Sequence, residues 1–411
     1  MSSLYNIFIH LLIFGMKAFS LFNDKTKKGV EGRKESLQKV KSAFSTSDKV
    51  IWMHAASLGE YEQGLPVLEQ LKQQWPEHKI LVTFFSPSGY ENVVKKKHIA
   101  DVICYLPFDK KDLVKEFTSQ FQTDLFFTVK YDYWYHLLQE LKHQKARVYV
   151  ISALFYDGQP FFTSYGKWMV EQLQQNVDWF FHQTELSWAL AKSIGLNRSS
   201  VTGDTRFDRV KQLRNRDNHV KHIREFIGKD YKAVVFGSSW QAEEKIAEEV
   251  LQSNPYAKII IAPHDLKRVA YLRQVFPNAV LYSMIDGSQP ADFSSRVLII
   301  DSIGLLSRLY SYADVAVVGG GFHDAGLHNI LEAATFGVPV LFGKHYKKNP
   351  EADDLIAAEG GKAFEKEGQA ADFVMFLINN EDALDSMAGN ARKFIDSKPD
   401  ATRQIMEKIL F

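Results

Sequence analysis

Short apolar runs alternate with amphipathic segments along the first half of the chain. The runs are rich in β-branched and aromatic residues, which is typical of buried parallel strands. The segments between most of them, such as 61–75 and 111–121, have polar faces at helical spacing. The first half therefore predicts a strand–helix series with strands at 50–54, 80–85, 102–106, 125–129, 148–151 and 179–182.

The same alternation begins again at residue 233. The second series predicts strands at 233–239, 258–262, 279–282, 297–301, 314–318 and 338–342. Between the two series, the stretch 206–232 is highly charged and poor in apolar residues, which indicates a connection with a short helix. Two successive α/β series predict two doubly wound, Rossmann-like domains that bind ligands beyond the carboxyl ends of their strands. We expect them to face each other across a cleft, as in the GT-B architecture of many glycosyltransferases and a few epimerases.

The segment 4–22 differs from the rest of the chain because it is mostly apolar. Its strongly polar residues, Asn6, His10 and Lys17, share one narrow stripe of a helix with about 3.6 residues per turn. No basic residue precedes it and no small-residue cleavage site follows, which argues against a secretory signal. Basic residues follow instead, at Lys25, Lys27, Lys28, Arg33 and Lys34. We expect a helix that spans a membrane or lies in its interface, with the body in the cytoplasm; the alternative is an amphipathic helix docked on the protein.

These patterns divide the 411 residues into a membrane-anchoring helix and two domains. The expected limits are 1–24 for the helix, 25–210 for the first domain, 211–232 for the connection, 233–385 for the second domain and 386–411 for the C-terminal helices. A formal net charge of +1 argues against a nucleic-acid partner. The single cysteine, Cys104, excludes an intramolecular disulfide and fits a buried structural thiol in a reducing compartment.

The richest candidate for ligand binding follows the predicted strand 314–318. A glycine cluster begins at Gly319, and a helix is predicted to open near His328 and Asn329, with Glu332 one turn in. Glycines let the backbone approach a ligand, and a helix N-terminus attracts phosphate. Glu332 could accept hydrogen bonds from ribose hydroxyls; the alternative is an ordinary strand-to-helix turn.

Glu60 is the candidate base of the first domain. It follows the first predicted strand at the opening of the helix 61–75, where a carboxylate can accept a proton from a hydroxyl. The alternative is a glutamate that interacts with the helix dipole. Weaker loops leave strand ends at Ser238 and Ser239, at Pro263 and His264, and at 301–305.

Several motifs are absent from the sequence. It has no phosphate-binding G-x-x-x-x-G-K-[ST] loop, no G-x-G-x-x-G after the first strand, no Asp-x-Asp pair and no His or Cys cluster with metal spacing. We therefore expect no metal or other cofactor. A leaving phosphate would be neutralised by helix dipoles and by a cation such as Arg206.

The order of these motifs resembles the 3-deoxy-D-manno-octulosonic acid (Kdo) transferases of Gram-negative bacteria, over nearly the whole chain. The motifs that carry the resemblance are Ala55-Ala-Ser-Leu-Gly-Glu60, Thr83 with Pro87-Ser-Gly89, Gly203-x-x-Arg-Phe-Asp208, Gly237-Ser-Ser239, Pro263-His264, Ile303-Gly304 and the segment 319–343. That family transfers Kdo from CMP-Kdo to the lipid A precursor with inversion and without a metal. The resemblance thus implies an inner-membrane enzyme on the cytoplasmic side, with acceptor binding by the first domain and CMP-sugar binding by the second.

Residue roles follow from the same resemblance. Glu60 is implied as the base that deprotonates the acceptor, and Asp132 and Arg206 as groups that stabilise the transition state. The residues expected to bind the nucleotide are Ser238, Ser239, Pro263, His264, Ile303, Gly304, Leu305, His328, Asn329, Ile330, Leu331 and Glu332.

The chain departs from the family pattern at three motifs. Glu-x-Glu-x-Trp-Pro-Asn reads Lys130-Tyr-Asp-Tyr-Trp-Tyr-His136, Pro-Arg-His reads Pro263-His264-Asp265, and Ser-Thr-His reads Ser238-Ser239-Trp240. The competing interpretations are another GT-B lipid glycosyltransferase, a non-hydrolysing UDP-sugar epimerase, and a catalytically inactive membrane-bound scaffold.

Overall fold

The computed structural model describes residues 2–285, 293–324, 326–347 and 349–410. The chain forms two compact units, one of residues 1–209 with 399–411 and the other of residues 210–398. The first unit contains an all-parallel sheet in the order β3-β2-β1-β4-β5-β6-β7. Its strands are β1 Lys49–Ala55, β2 Lys79–Phe84, β3 Val102–Tyr105, β4 Gln122–Val129, β5 Arg147–Ala153, β6 Trp179–His182 and β7 Ser199–Val201.

The second unit contains a parallel sheet in the order β10-β11-β9-β8-β12-β13-β14. In both sheets the strand order reverses beside the first strand of the unit, which is the doubly wound pattern. The strands are β8 Lys232–Ser239, β9 Ala257–Pro263, β10 Val280–Leu281, β11 Val297–Ile299, β12 Val315–Val318, β13 Val340–Gly343 and β14 Gly361–Phe364.

Helices cover both sheets. In chain order they are α1 Ser2–Phe19, α2 Asp24–Ala43, α3 Leu58–Gln74, α4 Pro87–Val93, α5 Lys111–Thr118, α6 Tyr135–His143, α7 Lys167–Asn176, α8 Glu185–Ser193, α9 Thr205–Asn215, α10 Ile223–Ile227, α11 Gln241–Ser253, α12 Val269–Val275, α13 Leu306–Leu309, α14 Leu331–Ala334, α15 Pro350–Ala357, α16 Glu367–Asn379, α17 Glu381–Ser397 and α18 Ala401–Leu410.

The first sheet is buried on both faces, which explains why its strands are continuous apolar runs. Successive residues of β1 point to opposite sides. Trp52 lies in one core, whereas Ile51 and Met53 lie in the other. Cys104 belongs to the first of these cores, and burial raises the pKa of its thiol to about 12, as a structural thiol requires.

The structure differs from the sequence prediction in four elements. Helix α2 occupies 24–43 where only a basic segment was described, and β14 adds an edge strand. The division between the units lies at residues 209 and 210, inside α9, because that helix continues into the predicted connection 211–232. Helix α18 packs in the first unit, apart from the rest of the predicted C-terminal segment 386–411.

Helix α1 is, among the described residues, the one helix long and apolar enough by length and composition to cross a membrane. Its Tyr5 hydroxyl donates to Asp109 Oδ2 at 2.6 Å, and Asn6 Oδ1 lies 2.6 Å from His136 Nε2. Ile9 is buried, and the apolar side chains of Leu4, Ile7, Phe8, Leu11 and Phe14 are exposed. The helix is thus held to the first unit by a few polar contacts while most of its apolar surface stays uncovered.

Candidate functional site

Glu60 lies at the carboxyl edge of the first sheet, in the first turn of α3. The residue before the helix, Ser57, has an extended backbone and makes no side-chain cap for the helix. Instead its hydroxyl donates to Glu60 Oε2 at 2.6 Å. In the described residues Glu60 makes no further side-chain hydrogen bond, and it is half-buried. This arrangement orients the carboxylate and leaves its other oxygen available to accept a proton.

Asp132 lies at the same edge, after β4, and is bound to buried groups of the sheet. Its Oδ2 lies 2.6 Å from His54 Nε2 and accepts the indole N–H of Trp134 at 3.2 Å. Thr128 Oγ1 donates to its backbone carbonyl at 3.2 Å. Lys130, which carries the reversed charge of this motif, adopts φ of 64° at the start of the turn. The turn therefore fixes the Asp132 carboxylate at the sheet edge.

Arg206 follows β7 in the first turn of α9 and forms an ion pair with Asp204. Its Nε and Nη2 lie 2.8 and 2.7 Å from Asp204 Oδ2, and Gln63 of α3 donates to Oδ1 at 2.8 Å. Burial alone would raise the pKa of Asp204, but Arg206 and the hydrogen bonds hold it below its usual value. The guanidinium charge is thus largely compensated within the pair.

The three predicted catalytic residues lie along one edge. Glu60 and Gln63 share α3, and Gln63 reaches the Asp204–Arg206 pair. Burial, with Tyr156, Glu60 and Asp132 nearby, raises the pKa of the Tyr131 hydroxyl. Tyr131 is exposed at this edge and lies near both carboxyl groups.

The carboxyl edge of the second sheet is made of closely approaching backbone. A Cβ on Gly319 would lie 2.0 Å from the Ser238 carbonyl oxygen, and one on Gly237 would lie 1.9 Å from the Tyr310 hydroxyl. Gly320 adopts φ of 91°, a conformation that side chains disfavour. These positions accept only glycine, so the glycine cluster serves to bring strand-end loops into contact with one another.

Glu243 of α11 supports this loop from beneath. Its two carboxylate oxygens accept the backbone N–H groups of Trp240 at 2.9 Å and Gly320 at 3.2 Å. The side chain is fully buried, and burial raises its pKa to about 7. This role of Glu243 is not evident from the sequence, because its contact with Gly320 spans 77 residues.

Four of the predicted nucleotide-binding residues line one cavity of about 620 Å³, namely Pro263, His264, Ile303 and Gly304. Leu305 is the residue immediately before α13 and is absent from the lining of this cavity. Ser238 has φ of 52°, and Ser239 is fully buried beside the strand end of Pro263. The cavity is large enough for a base and ribose, and two strand-end loops form it.

The predicted helix opening at His328 and Asn329 is wrong. Helix α14 begins at Leu331 and has four residues, because Gly337 with φ of 73° and the strand β13 follow at once. Asn329 Oδ1 accepts the Leu331 N–H at 3.0 Å, and its amide donates to Glu332 Oε1 at 3.2 Å. Such a short helix offers little N-terminal field.

The side chains of Ile330 and Leu331 lie in the core, so only their backbone can reach a ligand. Asn329 is exposed, and Glu332 is half-buried beside it. Polar recognition in this segment therefore comes from those two side chains.

Three imidazole rings and Trp240 gather next to the cavity. Trp240 stacks on His264 with ring centroids 4.3 Å apart, and His264 lies 4.7 Å from His328. Burial, with His264 and His323 near it, lowers the pKa of His328 to about 4, so its ring is neutral at pH 7. Within the described part of the chain, no group of three His, Cys, Asp or Glu side chains has the geometry of a metal site.

The segment 31–209 matches the family model described as 3-deoxy-D-manno-octulosonic-acid transferase (kdotransferase). A bifunctional glycosyltransferase/methyltransferase of Fusobacterium nucleatum is 27% identical over 309 residues, which cover 72% of this chain and 48% of that protein. A 3-deoxy-D-manno-octulosonic acid transferase of Aquifex aeolicus is 26% identical over 331 residues, covering 80% of this chain and 83% of the relative.

Among solved structures, the UDP-GlcNAc 2-epimerase from Neisseria meningitidis bound to UDP-GlcNAc is similar in fold. It is 17% identical, its TM-score is 0.62, and the match covers 88% of this chain and 99% of that chain. With two parallel seven-stranded sheets, the fold is GT-B, as the sequence predicts.

The fold and the sheet-edge sites thus define a GT-B protein. Residues 31–209 match the Kdo transferase family model, and the similarity to curated Kdo transferases extends over most of the chain. The protein is a glycosyltransferase.

Proposed function

We propose that this protein transfers Kdo from CMP-Kdo to the lipid A precursor (lipid IVA), with inversion and without a metal, and that Glu60 is the general base. One observation carries the proposal: Ser57 orients Glu60 through a 2.6 Å hydrogen bond, inside the segment that matches the Kdo transferase family. The same sheet edge holds Asp132 and Arg206.

In the proposed reaction, a glucosamine hydroxyl of the acceptor attacks the anomeric carbon of Kdo. A new carbon–oxygen bond forms as the bond between that carbon and the CMP phosphate oxygen breaks, so configuration inverts. The proton of the hydroxyl passes to Glu60, and CMP leaves with the bonding electron pair. A positioned base of this kind contributes about 10²- to 10⁴-fold to the rate.

Donor binding is proposed for the second unit. The cavity at His264 and Ile303 has room for the nucleoside, and Asn329 with Glu332 presents acceptors and a donor for ribose hydroxyls. Because α14 is short, we assign phosphate recognition to backbone amides of the loop that follows Gly320, since the N–H groups of Gly319 and Gly320 already donate to Gly237 and Glu243. Arg206 contributes a partly compensated positive charge.

Membrane attachment is proposed for α1, at the cytoplasmic face of the inner membrane. Its apolar side chains are exposed while Tyr5 and Asn6 bind the first unit, the reverse of a helix that docks through its apolar face. Positive charges in α2 would attract anionic lipid headgroups. A lipid acceptor would then be available beside the enzyme.

The test is a transfer assay with CMP-Kdo and a tetra-acylated lipid A precursor, with and without EDTA, and with products measured by mass spectrometry. Equal product with and without EDTA, with one or more added Kdo masses, is the expected result, and the masses count the sugars. CMP binding without product would redirect the search to another lipid or sugar. Interconversion of a UDP-sugar, without Kdo transfer, would establish the epimerase instead.

A further inference from the structure

His54 is a buried imidazole at the end of β1 that bridges two strands and the turn after β4. It is 0% exposed. Its Nε2 lies 2.6 Å from Asp132 Oδ2, and its Nδ1 lies 2.9 Å from Thr83 Oγ1. Because β1 pairs with both β2 and β4, the neighbouring strands bring Thr83 and Asp132 to opposite ends of the ring.

His54 Nδ1 lies within reach of two oxygens of Thr83, the hydroxyl at 2.9 Å and the backbone carbonyl at 3.1 Å. The indole N–H of Trp52 donates to Thr83 Oγ1 at 2.8 Å, so the Thr83 hydroxyl can direct its own proton to His54 Nδ1. At the other end of the ring, Nε2 faces an oxygen of the Asp132 carboxyl group at 2.6 Å, and an Nε2–H can donate to that oxygen whichever of the two Thr83 oxygens Nδ1 contacts. Hydrogen bonds thus connect Trp52, Thr83 and His54 to the Asp132 carboxyl group.

Asp132 is anchored through one oxygen only. Oδ2 receives both His54 and Trp134, whereas Oδ1 has no hydrogen-bond partner in the described part of the chain. The Asp132 side chain is 23% exposed. Asp132 and Glu60 both raise the pKa of the Tyr131 hydroxyl, so both carboxyl groups lie near Tyr131. Oδ1 is therefore a hydrogen-bond acceptor that is available to a ligand at this edge of the sheet.

We propose that His54 is a positioning residue: by donating Nε2–H to Asp132 Oδ2, it aims Oδ1 at a hydroxyl of the sugar acceptor next to the one that Glu60 deprotonates. The proposal rests on the proposed function, because it assigns part of the same acceptor site. It also explains how Asp132, which is one methylene shorter than the glutamate of the family motif, is held in place: the imidazole connects it to β1.

The first experiment measures the proton itself. The full chain is labelled with ¹⁵N-histidine, and its imidazole signals are recorded for the wild type and for Asp132→Asn. We expect a slowly exchanging Nε2–H signal that shifts in Asp132→Asn. If His54 is protonated only at Nδ1, the proposal is wrong, whether or not the enzyme is active.

The second experiment tests whether the position of the donor nitrogen matters, as distinct from the size of the side chain. In His54→Gln the amide nitrogen can occupy the place of Nε2 and donate to Asp132, whereas the side chain of His54→Asn reaches only the place of Nδ1. We expect His54→Asn to lower kcat/KM for the acceptor by about 10- to 100-fold, as the loss of a hydrogen bond to a charged group does. His54→Gln should recover most of that loss, and CMP affinity should be unchanged in both.

A matched control lies in the same sheet. His78 Nε2 is 3.1 Å from Asp124 Oδ2, a second histidine–aspartate pair that lies at the amino end of the strands. His78→Asn should leave transfer unchanged. Equal activity of His54→Gln and His54→Asn, high or low, would overturn the proposal for His54 alone, whereas a wild type that transfers no Kdo would overturn the proposed function.

Discussion

The two sheets have the same topology, but their carboxyl edges are built from different groups. In the first unit the edge consists of polar side chains held by buried partners: Ser57 orients Glu60, and His54 contacts Asp132. In the second unit the edge consists of backbone, since Gly319 and Gly320 lie against neighbouring loops and Glu243 supports them from below.

This difference shows where chemistry and binding reside. Side-chain carboxyl groups can take up and release a proton, so the first edge is suited to acid–base catalysis. Packed glycines and backbone amides present fixed dipoles without titration, so the second edge is suited to holding a nucleotide. We therefore expect substitutions at the first edge to lower the rate of transfer and substitutions at the second edge to weaken nucleotide binding.

The largest effect is expected from Glu60→Gln. The amide cannot accept the proton, so transfer should fall by about 10²- to 10⁴-fold while CMP affinity stays within about twofold. Steady-state kinetics and calorimetry with CMP measure the two quantities. Glu62→Gln, two residues further along α3 in an exposed pair with Arg209, is the control and should retain activity. Full activity of Glu60→Gln would remove Glu60 from the mechanism.

The second edge should be broken by Gly319→Ala. The new Cβ would lie 2.0 Å from a backbone oxygen that cannot move away freely. We expect a loss of about 1–3 kcal/mol in unfolding free energy and a weakening of CMP binding by about tenfold or more. Calorimetry and thermal unfolding measure these changes. Gly389→Ala in α17, where a Cβ meets nothing within 4 Å, should instead leave binding intact.

Glu243 should make the stability of the second unit depend on pH. Its pKa is raised to about 7 by burial, so the folded protein keeps the proton at pH values where the unfolded chain loses it. The stabilisation from this residue is therefore fully present below pH 4.5 and falls by about 1–3 kcal/mol as the pH rises from 4.5 to about 7.

Denaturant unfolding of Glu243→Gln at several pH values measures this dependence. The variant should show a smaller fall between pH 4.5 and 7 than the wild type. Glu248→Gln, on the same helix with only an exposed hydrogen bond to Gln252, is the control and should behave like the wild type. An unchanged pH dependence in Glu243→Gln would mean that other groups cause it.

The smallest effect is expected from Ser57→Ala. Removing the hydroxyl frees Glu60 to adopt other rotamers without changing its chemistry, so kcat should fall by about tenfold or less. The measurement is kcat at saturating donor and acceptor. A loss as large as that of Glu60→Gln would mean that Ser57 takes part in the reaction directly.

Most strands could be predicted because a parallel sheet covered on both faces requires continuous apolar runs. The edge strand β14, with the sequence Gly-Lys-Ala-Phe, lacks such a run and was missed. Helix α2 was missed because it is strongly polar: Val30, Leu37 and Val40 form only a narrow apolar stripe, and the buried Arg33 interrupts it.

The loops of the candidate site could be predicted because strand ends and glycines mark them in sequence. Partners between loops could not. The contact between His54 and Asp132 joins residues 78 apart and depends on β1 and β4 being neighbours in the sheet. The length of α14 was also unpredictable, since it is set by the packing of the turn at Gly337.

Helix α18 has a consequence for biosynthesis. Ile405, Met406 and Ile409 lie in the same core as β1, and Thr402 binds Asp208 through its N–H and its hydroxyl, each at 2.7 Å. In sequence, the second unit, residues 210–398, thus interrupts the first unit. The last core residues of the first unit therefore leave the ribosome after the whole second unit. The first unit cannot close its core on the ribosome until the second has been synthesised, so the second unit is the first whose whole sequence is available to fold.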